Sequence, residues 1–336
     1  MAMPWNGEPN ARADADGAVH IARAGLSVRA IAMELPGQPR RMSWAYLIED
    51  AGDAIHLIDC GADSERNRAE LRAMLSSRGH SVDDIASVTA THGHYDHVGM
   101  AAWLRREAGA RVQLHRRDAH AMSEEVTYGG PQAESLINRW GVPAARQEEV
   151  LIAARRRVAS GERVQVDVQL EDGARLDVPG WDLTVLATPG HTPGHLCIVH
   201  SESGGAFVGD HVLPRQNPGA GLGGRTAENP VEEYLRSIER LAALHPRYLL
   251  PGHGSVIDSP AGRLAAIRAH HLRRRREVLA MASTADTVWE IATKVEWSRG
   301  WNGLSGVLLF SALSQVENYL TAKVEDAIET GEEFAS

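Results

Sequence analysis

The chain of 336 residues has little cysteine and no long apolar segment. Its two cysteines, Cys60 and Cys197, lie far apart and form no CxxC pair. This spacing argues against a disulfide framework and fits a reducing compartment. No apolar run approaches the roughly 20 residues that a membrane-spanning helix needs. Residues 1–17 also lack the basic and apolar stretches of a signal peptide, so we expect a cytoplasmic protein without a membrane segment.

The sequence also lacks an excess of positive charge. Its formal net charge is −9, whereas a nucleic-acid-binding domain is usually basic. Two arginine runs, 155–157 and 273–276, show no interleaved aromatic residues of the kind that stack on bases. Each run is interpreted either as a solvated helix face or as a phosphate- or CoA-binding patch. Nucleic acid is therefore disfavoured as a partner.

Short apolar segments alternate with helical patterns between about residues 18 and 260, which predicts an α/β core. Ser64 and Asn229 are expected to cap helices, and Pro230 follows the second cap at the first helical position. Alternation in RVQVDVQL (163–170) and ARLDVP (174–179) predicts two strands. From about residue 260 to residue 330 the patterns are helical. We therefore divide the chain into a flexible N-terminal arm (1–17), an α/β domain (18–261) and a small helical C-terminal domain (262–336).

One short stretch, THGHYDHVG at residues 91–99, is crowded with candidate metal ligands. It contains His92, His94, Asp96 and His97 at the end of a predicted strand, IASVTA. Imidazole nitrogen and carboxylate oxygen are ligands that zinc binds in proteins. Alternation places the first two histidines on one side, and the following turn can bring the other two groups to the same point. A His-rich polar loop without a metal is the simpler alternative.

Three further candidate ligands each follow an apolar strand. His191 lies in TPGHTPGH, Asp210 ends FVGD, and His253 lies in LLPGHG. Such strand ends lie along one edge of an α/β core, where sites are built. The seven groups exceed what one ion with three protein ligands requires, whereas two ions that share a carboxylate use them all. We therefore predict a dinuclear centre with two zinc ions, and iron or manganese as alternatives.

The segment HGHYDHVG matches the HxHxDHxG signature of the metallo-β-lactamase superfamily, which the chain resembles over about residues 28–258. TPGHTPGH is most similar to the glyoxalase II branch, the hydroxyacylglutathione hydrolases. The resemblance implies an αββα sandwich of two mixed sheets between helices. Residues 262–336 depart from the glyoxalase II pattern, because its glutathione-contacting residues cannot be matched there. They resemble instead a short winged-helix tail of some lactamase-like hydrolases and endoribonucleases, with the wing nearly absent.

The resemblance also divides the seven groups between two ions. It implies that one ion is held by three histidines, His92, His94 and His191. It implies that the other ion is held by Asp96, His97 and His253, with Asp210 bridging the two. LIDCG (57–61) matches a family segment whose aspartate supports a ligand from behind, so Asp59 is expected to orient a ligand imidazole.

Several residues near the expected centre are candidates to contact a substrate. Tyr128 lies in the inserted helical region, His211 follows the expected bridging aspartate, and Arg215 lies in the next loop. A structural or solvent-exposed role is the alternative for each. Segments 118–160 and 212–228 are longer than simple connections, whose median is about 4–6 residues. We expect these two segments to form the pocket wall.

These features predict a hydrolase in which a metal-bridging hydroxide attacks the carbonyl of a thioester, such as an acyl-CoA or acylglutathione. Catalytic roles are expected for Asp96, which would orient the water and carry its proton, and for Asp210, which would hold both ions. A lactone or another carboxylic ester is the closest alternative substrate. A metal-dependent endoribonuclease is an alternative of another class. The expected partner is a small acyl molecule, and a homodimer stays open.

Overall fold

The computed structural model describes residues 19–23, 25–38, 41–123, 131–155, 164–223 and 227–324. The predicted N-terminal arm therefore lies outside the described residues. Two β-sheets form the centre of the described chain. The larger sheet consists of β1 (Val19–Arg23), β2 (Leu26–Glu34), β3 (Met42–Glu49), β4 (Ile55–Ile58), β5 (Ile85–Thr89), β6 (Arg111–His115) and β7 (Val168–Leu170). The smaller sheet consists of β8 (Leu183–Ala187), β9 (Leu196–His200), β10 (Gly205–Gly209) and β11 (Tyr248–Pro251).

Both sheets are mixed. In the larger sheet the strands follow chain order, with antiparallel neighbours from β1 to β4 and parallel neighbours from β4 to β7. In the smaller sheet the order is β11-β10-β9-β8, and only the β10–β11 pair is parallel. Strands β4, β5, β10 and β11 all lead into loops at the edge where the candidate ligands lie, which gives the site its position.

Helices cover the outer faces of the two sheets. They are α1 (Glu65–Ser76), α2 (Tyr95–Val98), α3 (Ala101–Ala108), α4 (Arg116–Ser123), α5 (Pro131–Trp140), α6 (Ala144–Arg155), α7 (Pro230–Ala243), α8 (Pro260–Ala282), α9 (Val288–Lys294) and α10 (Gly306–Thr321). The two expected N-caps are confirmed. Ser64 accepts the amide of Asn67 at the start of α1, and Asn229 accepts two amides at the start of α7.

Three hydrophobic clusters show the layering. One cluster lies between the sheets and includes Tyr46, Phe207 and Leu250. A second packs the outer face of the larger sheet, at Leu57, against α1 and α3. A third covers the outer face of the smaller sheet, where Val208 belongs to the same cluster as residues of α5 to α10. The helix–sheet–sheet–helix order is confirmed, and the fold is an αββα sandwich.

The C-terminal helices share their core with the smaller sheet. Ile238 of α7, Ile267 of α8 and Leu313 of α10 belong to one cluster with the residues of β10 and β11. Within the described residues from 260 to 324 there are helical segments and no strand, as the helical patterns predict. The domain boundary near residue 262 and the winged-helix resemblance stay predictions. No helix in the described part of the chain combines the length and apolar character that crossing a membrane requires.

Two of the expected strands are largely absent. Of the described residues 164–170, only Val168–Leu170 form a strand, β7. In the 174–179 segment Arg175 makes an isolated bridge with Thr184. Just before β7, the carboxylate of Asp167 accepts the Val112 amide at 3.0 Å. A side chain thus takes a main-chain donor of β6 that a longer strand would have paired. Alternation alone does not reveal this competition.

Candidate metal centre

All seven predicted ligands meet at one edge of the sandwich. His92 and His94 follow β5, while Asp96 and His97 lie in the single turn of α2. The other three follow β8, β10 and β11 and are His191, Asp210 and His253. Four of the seven side chains are buried, and the other three are partly buried. The structure therefore brings together all seven of the predicted metal ligands.

Three histidine nitrogens converge on one point. His92 Nε2 lies 2.9 Å from His94 Nδ1, and His191 Nε2 lies 3.3 Å from the same His94 nitrogen. Tetrahedral zinc with bonds of about 2.0–2.1 Å separates neighbouring nitrogens by about 3.3 Å. These three side chains, called here the histidine trio, could hold a metal ion.

A second group of donors, called here the mixed trio, consists of Asp96, His97 and His253. The Oδ2 atom of Asp96 lies 3.4 Å from His253 Nε2 and 3.8 Å from His97 Nε2. Asp210 contacts both trios, since its Oδ1 is 3.5 Å from His97 Nε2 and its Oδ2 is 3.8 Å from His191 Nε2. The two carboxylate oxygens of Asp210 thus face different trios, as the predicted bridging role requires.

The second ring nitrogen of several histidines is also engaged. His97 Nδ1 lies 2.8 Å from the carboxylate of Asp59, as expected from the sequence. His253 Nδ1 donates to the Met42 carbonyl at 2.6 Å, and His191 Nδ1 lies 2.9 Å from the Gly219 carbonyl. Such contacts orient the ring and leave the other nitrogen to face a metal.

Two buried atoms of the site have no hydrogen-bond partner. They are His97 Nε2 and Asp210 Oδ1, which face each other at 3.5 Å. A buried polar atom without a partner costs free energy. A cation between them would satisfy both atoms, and the surrounding donors are nitrogen and carboxylate oxygen. The residues present therefore fit a metal such as zinc.

The two trios differ in charge. Burial, reinforced by neighbouring histidines, lowers the pKa of His191 to about 4 and holds that of His92 well below its usual range. For His253, burial is outweighed by Asp210 and Asp96, which raise its pKa to about 10. Burial also fails to dominate at Asp96, whose pKa is lowered to about 2 by His97 and His253. Without a metal, His92 and His191 of the histidine trio are therefore neutral, whereas the mixed trio pairs opposite charges.

The turn after β11 approaches the site too closely for a side chain. A Cβ atom on Gly252 would lie 2.6 Å from both Asp210 Oδ1 and His97 Cε1. The Gly252 amide donates to the Gly209 carbonyl at 2.7 Å. This bond ties the loop of His253 to the loop of the bridging carboxylate, so glycine is required here by space.

Asp118 is a buried residue of the site that the sequence interpretation missed. Its Oδ2 accepts the Gly93 amide at 2.8 Å and the Thr192 hydroxyl at 2.7 Å. Its Oδ1 accepts the Gly194 amide at 2.6 Å. One carboxylate thus joins the loop of His92 and His94 to the loop of His191. Its position just after β6, like that of Asp59 after β4, was the available signal.

The predicted substrate contacts lie in different surroundings. Tyr128 lies outside the described residues, and Arg215 is exposed in the loop after β10. His211 is fully buried, and its ring packs 4.7 Å from that of Tyr234. These three residues therefore stay predictions as substrate contacts.

Of the two expected wall segments, 212–228 reaches a candidate ligand, and α5 of the 118–160 segment lines a neighbouring cavity. The Leu222 carbonyl lies 3.4 Å from His94 Nε2. Trp140 of α5 and Gly221 line one cavity of about 360 Å³ together with α10. The 212–228 segment therefore reaches the candidate ligands directly, while α5 meets it at the neighbouring cavity.

Comparison with known proteins gives several relatives. A probable metallo-hydrolase, YqjP of Bacillus subtilis, is 29% identical over 224 residues, covering 64% of this chain and 67% of the relative. An atrochrysone carboxyl ACP thioesterase of Aspergillus fumigatus is 32% identical over 244 residues, covering 73% and 61%. A hydroxyacylglutathione hydrolase of Ectopseudomonas mendocina is 28% identical over 160 residues, covering 48% and 43%. The matches thus span about two thirds or less of these relatives' lengths.

A solved structure shows the same fold. The metallo-beta-lactamase family protein TTHA1429 from Thermus thermophilus superimposes with a TM-score of 0.70 at 28% identity, covering 87% of this chain and 91% of that chain. The profile of the metallo-beta-lactamase superfamily matches residues 39–253, a segment that contains all seven candidate ligands. Members of this superfamily bind metal ions, often zinc. With the sandwich, the ligand set and the profile in agreement, the chain belongs to the metallo-beta-lactamase superfamily.

Proposed function

We propose that the protein is a dinuclear metal-dependent hydrolase of thioesters, of the acyl-CoA or acylglutathione type. The observation that carries the proposal is the pair of trios joined by Asp210. The histidine trio would hold one ion and the mixed trio the other. Relatives named as an ACP thioesterase and a hydroxyacylglutathione hydrolase support the substrate class.

Two ions held by the trios would supply a nucleophile from water at neutral pH and would polarise the substrate carbonyl. The chain's own groups then have separate tasks. Asp210 sets the distance between the trios through its two oxygens. Asp96 is ionised at neutral pH, because His97 and His253 outweigh its burial and lower its pKa. In the proposal, this carboxylate would orient the attacking water and relay its proton.

Charge elsewhere on the chain favours a carbonyl substrate over a polyanion. A nuclease needs a basic track toward its metals, since phosphate contacts dominate nucleic-acid affinity. On α8, Arg274 donates to Glu277 and to the Glu296 carbonyl, and Arg275 donates to the Ala322 carbonyl. These two arginines of the 273–276 run thus tie the C-terminal helices together. The net charge of −9 points the same way.

A substrate panel tests this proposal. The metal-loaded protein is assayed against an acyl-CoA, an acylglutathione, a lactone and single-stranded RNA, with His92→Ala run in parallel. His245→Asn is the matched control, because His245 is an exposed histidine at a φ of 49° that asparagine tolerates. We expect thioester turnover that disappears in His92→Ala and persists in the control. Faster turnover of the lactone, or metal-dependent RNA cleavage that requires His92, contradicts the thioester assignment.

The metal itself is identified by reconstitution. Metal-free protein is loaded separately with zinc, iron or manganese, and bound metal and turnover are measured together. We expect two ions per chain and the highest turnover with zinc. A single saturable ion in the unsubstituted protein would contradict the dinuclear part of the proposal.

A further inference from the structure

A buried column of aromatic rings leads from the metal centre into the C-terminal helices. The His211 ring lies 4.7 Å from the Tyr234 ring, which lies 4.6 Å from the His271 ring. His271 Nδ1 then lies 2.7 Å from the Tyr319 hydroxyl. All four side chains are almost completely buried. The column thus joins the loop after β10 to α7, α8 and α10.

Tyr234 contacts the loops of two candidate ligands. Its hydroxyl donates to the carbonyl of His211, the residue that directly follows Asp210. On the other side, Gly190 has a φ of 137°, and a Cβ there would lie 2.4 Å from the Tyr234 Cα. Gly190 directly precedes His191. Tyr234 therefore contacts the backbone next to both Asp210 and His191.

The sheet alone does not fix the distance between these two ligands. Asp210 follows β10 and His191 follows β8, and β9 lies between those strands. Helix α7 crosses this gap, and Ser237, one turn after Tyr234, donates to the Pro189 carbonyl at 2.8 Å. The 3.8 Å separation between Asp210 Oδ2 and His191 Nε2 thus depends on contacts from α7.

We propose that Tyr234 is a positioning residue of the metal centre, which sets the bridging carboxylate against the histidine trio. His271 packs against its ring and is itself held by the Tyr319 hydroxyl, which gives the C-terminal helices a part in metal binding. The inference rests on the metal-binding half of the proposed function and not on the substrate class. Burial raises the pKa of Tyr234 well above its usual range, so its hydroxyl stays a donor.

The test is Tyr234→Phe in the full chain, which removes the hydroxyl and keeps the ring. Zinc affinity is measured by chelator competition, and the visible spectrum is recorded with cobalt(II) in place of zinc. We expect zinc affinity to fall about 10–100-fold, the range typical of lost outer contacts to metal ligands. The cobalt spectrum should shift, and kcat on any hydrolysed substrate should fall with KM nearly unchanged.

Tyr248→Phe is the matched control, since Tyr248 is a buried tyrosine in β11 of the same sheet. We expect it to leave zinc affinity and the cobalt spectrum unchanged. Tyr319→Phe should shift both in the same direction as Tyr234→Phe, by a smaller factor. Wild-type affinity and spectrum in Tyr234→Phe overturn the proposal. If that variant does not fold, wild-type values in Tyr319→Phe overturn it. Neither measurement needs a substrate, so a wrong substrate class leaves the test intact.

Discussion

The two trios accommodate closely spaced ionisable side chains in different ways. The histidine trio places two nitrogens, His92 Nε2 and His191 Nε2, within 3.3 Å of His94 Nδ1, and burial keeps His92 and His191 neutral, with His191 at a pKa of about 4. The mixed trio keeps donors 3.4–3.8 Å apart and pairs charged imidazoles with carboxylates, with His253 at a pKa of about 10. Burial decides the protonation state of His191, whereas neighbouring carboxylates decide that of the partly buried His253. A metal ion therefore competes with protons at one trio far more than at the other.

Replacing Asp210, whose carboxylate contacts both trios, should impair both of them together. We expect Asp210→Asn to lower turnover on the order of 10³-fold, comparable with losing a major electrostatic contribution, because the amide has no negative charge and only one oxygen, which cannot face both trios. Metal content per chain and turnover are measured together. Asp177→Asn, an exposed carboxylate of the same domain, is the control. Two tightly bound ions and near-normal turnover in Asp210→Asn would show that the trios are independent.

Isolating each trio should expose its proton dependence. His191→Ala leaves the mixed trio, where His97 and His253 are protonated at neutral pH, because nearby carboxylates raise each pKa. Zinc must displace those protons, so affinity should rise with pH, by up to about 10²-fold per unit for two protons. His253→Ala leaves the histidine trio, where burial lowers the pKa of His92 and of His191, so zinc affinity should depend less steeply on pH from pH 6 to 8. Zinc affinity of both variants is measured by isothermal titration at several pH values. Equal slopes of affinity against pH in the two variants would refute the charge difference between the trios.

Asp118 joins the loop of His92 and His94 to the loop of His191. Weakening its hydrogen bonds should therefore affect the histidine trio first. Asp118→Asn replaces an acceptor-only carboxylate with an amide whose NH₂ group opposes one of three donors. We expect zinc affinity to fall about 10–100-fold, measured in the His253→Ala background. Asp167→Asn is the control, since Asp167 also accepts a main-chain amide but lies away from the ligands. An unchanged affinity would leave Asp118 with a purely structural role.

The smallest expected effect concerns His271, a buried neutral histidine that is not one of the candidate ligands. Burial lowers the pKa of His271 to about 3, reinforced by His270 and Arg274. The folded form stays neutral while the unfolded chain gains a proton below a pH of about 6.5, so stability is lost as pH falls from there toward 3. At pH 5.5 this amounts to about 1.4 kcal/mol. His271→Gln should flatten that part of a urea-unfolding profile, and an unchanged slope would assign the acid sensitivity elsewhere.

The ligands were predictable because each is a distinctive residue type at the end of an apolar strand. His92, His191 and His253 could be found without knowing which strands are neighbours, since parallel strand ends meet at one edge. The caps Ser64 and Asn229 were predictable for a similar local reason.

Pairings across the chain were not predictable. Asp118 and Gly194 are 76 residues apart, and the contact of Tyr234 with His211 depends on how α7 crosses the sheet. A single sequence carries no record of such partners. The segment 174–179 was expected to form a strand, but it makes only an isolated bridge to β8, because its pairing depends on how it lies against that strand. A homodimer and a cytoplasmic location stay predictions, because neither follows from the fold.

Main-chain carbonyls orient several of the metal-facing histidines. Met42 and Gly219 supply oxygens to His253 and His191, and the Leu222 carbonyl lies beside His94. Any amino acid supplies the same carbonyl, so side chains at 42 and 222 are free to change without removing these contacts. Mutations that alter substrate preference could therefore accumulate around the pocket while the metal centre persists. A library randomised at these two positions and screened for zinc retention should keep most of its members, which makes the rim of the site a practical starting point for directed evolution.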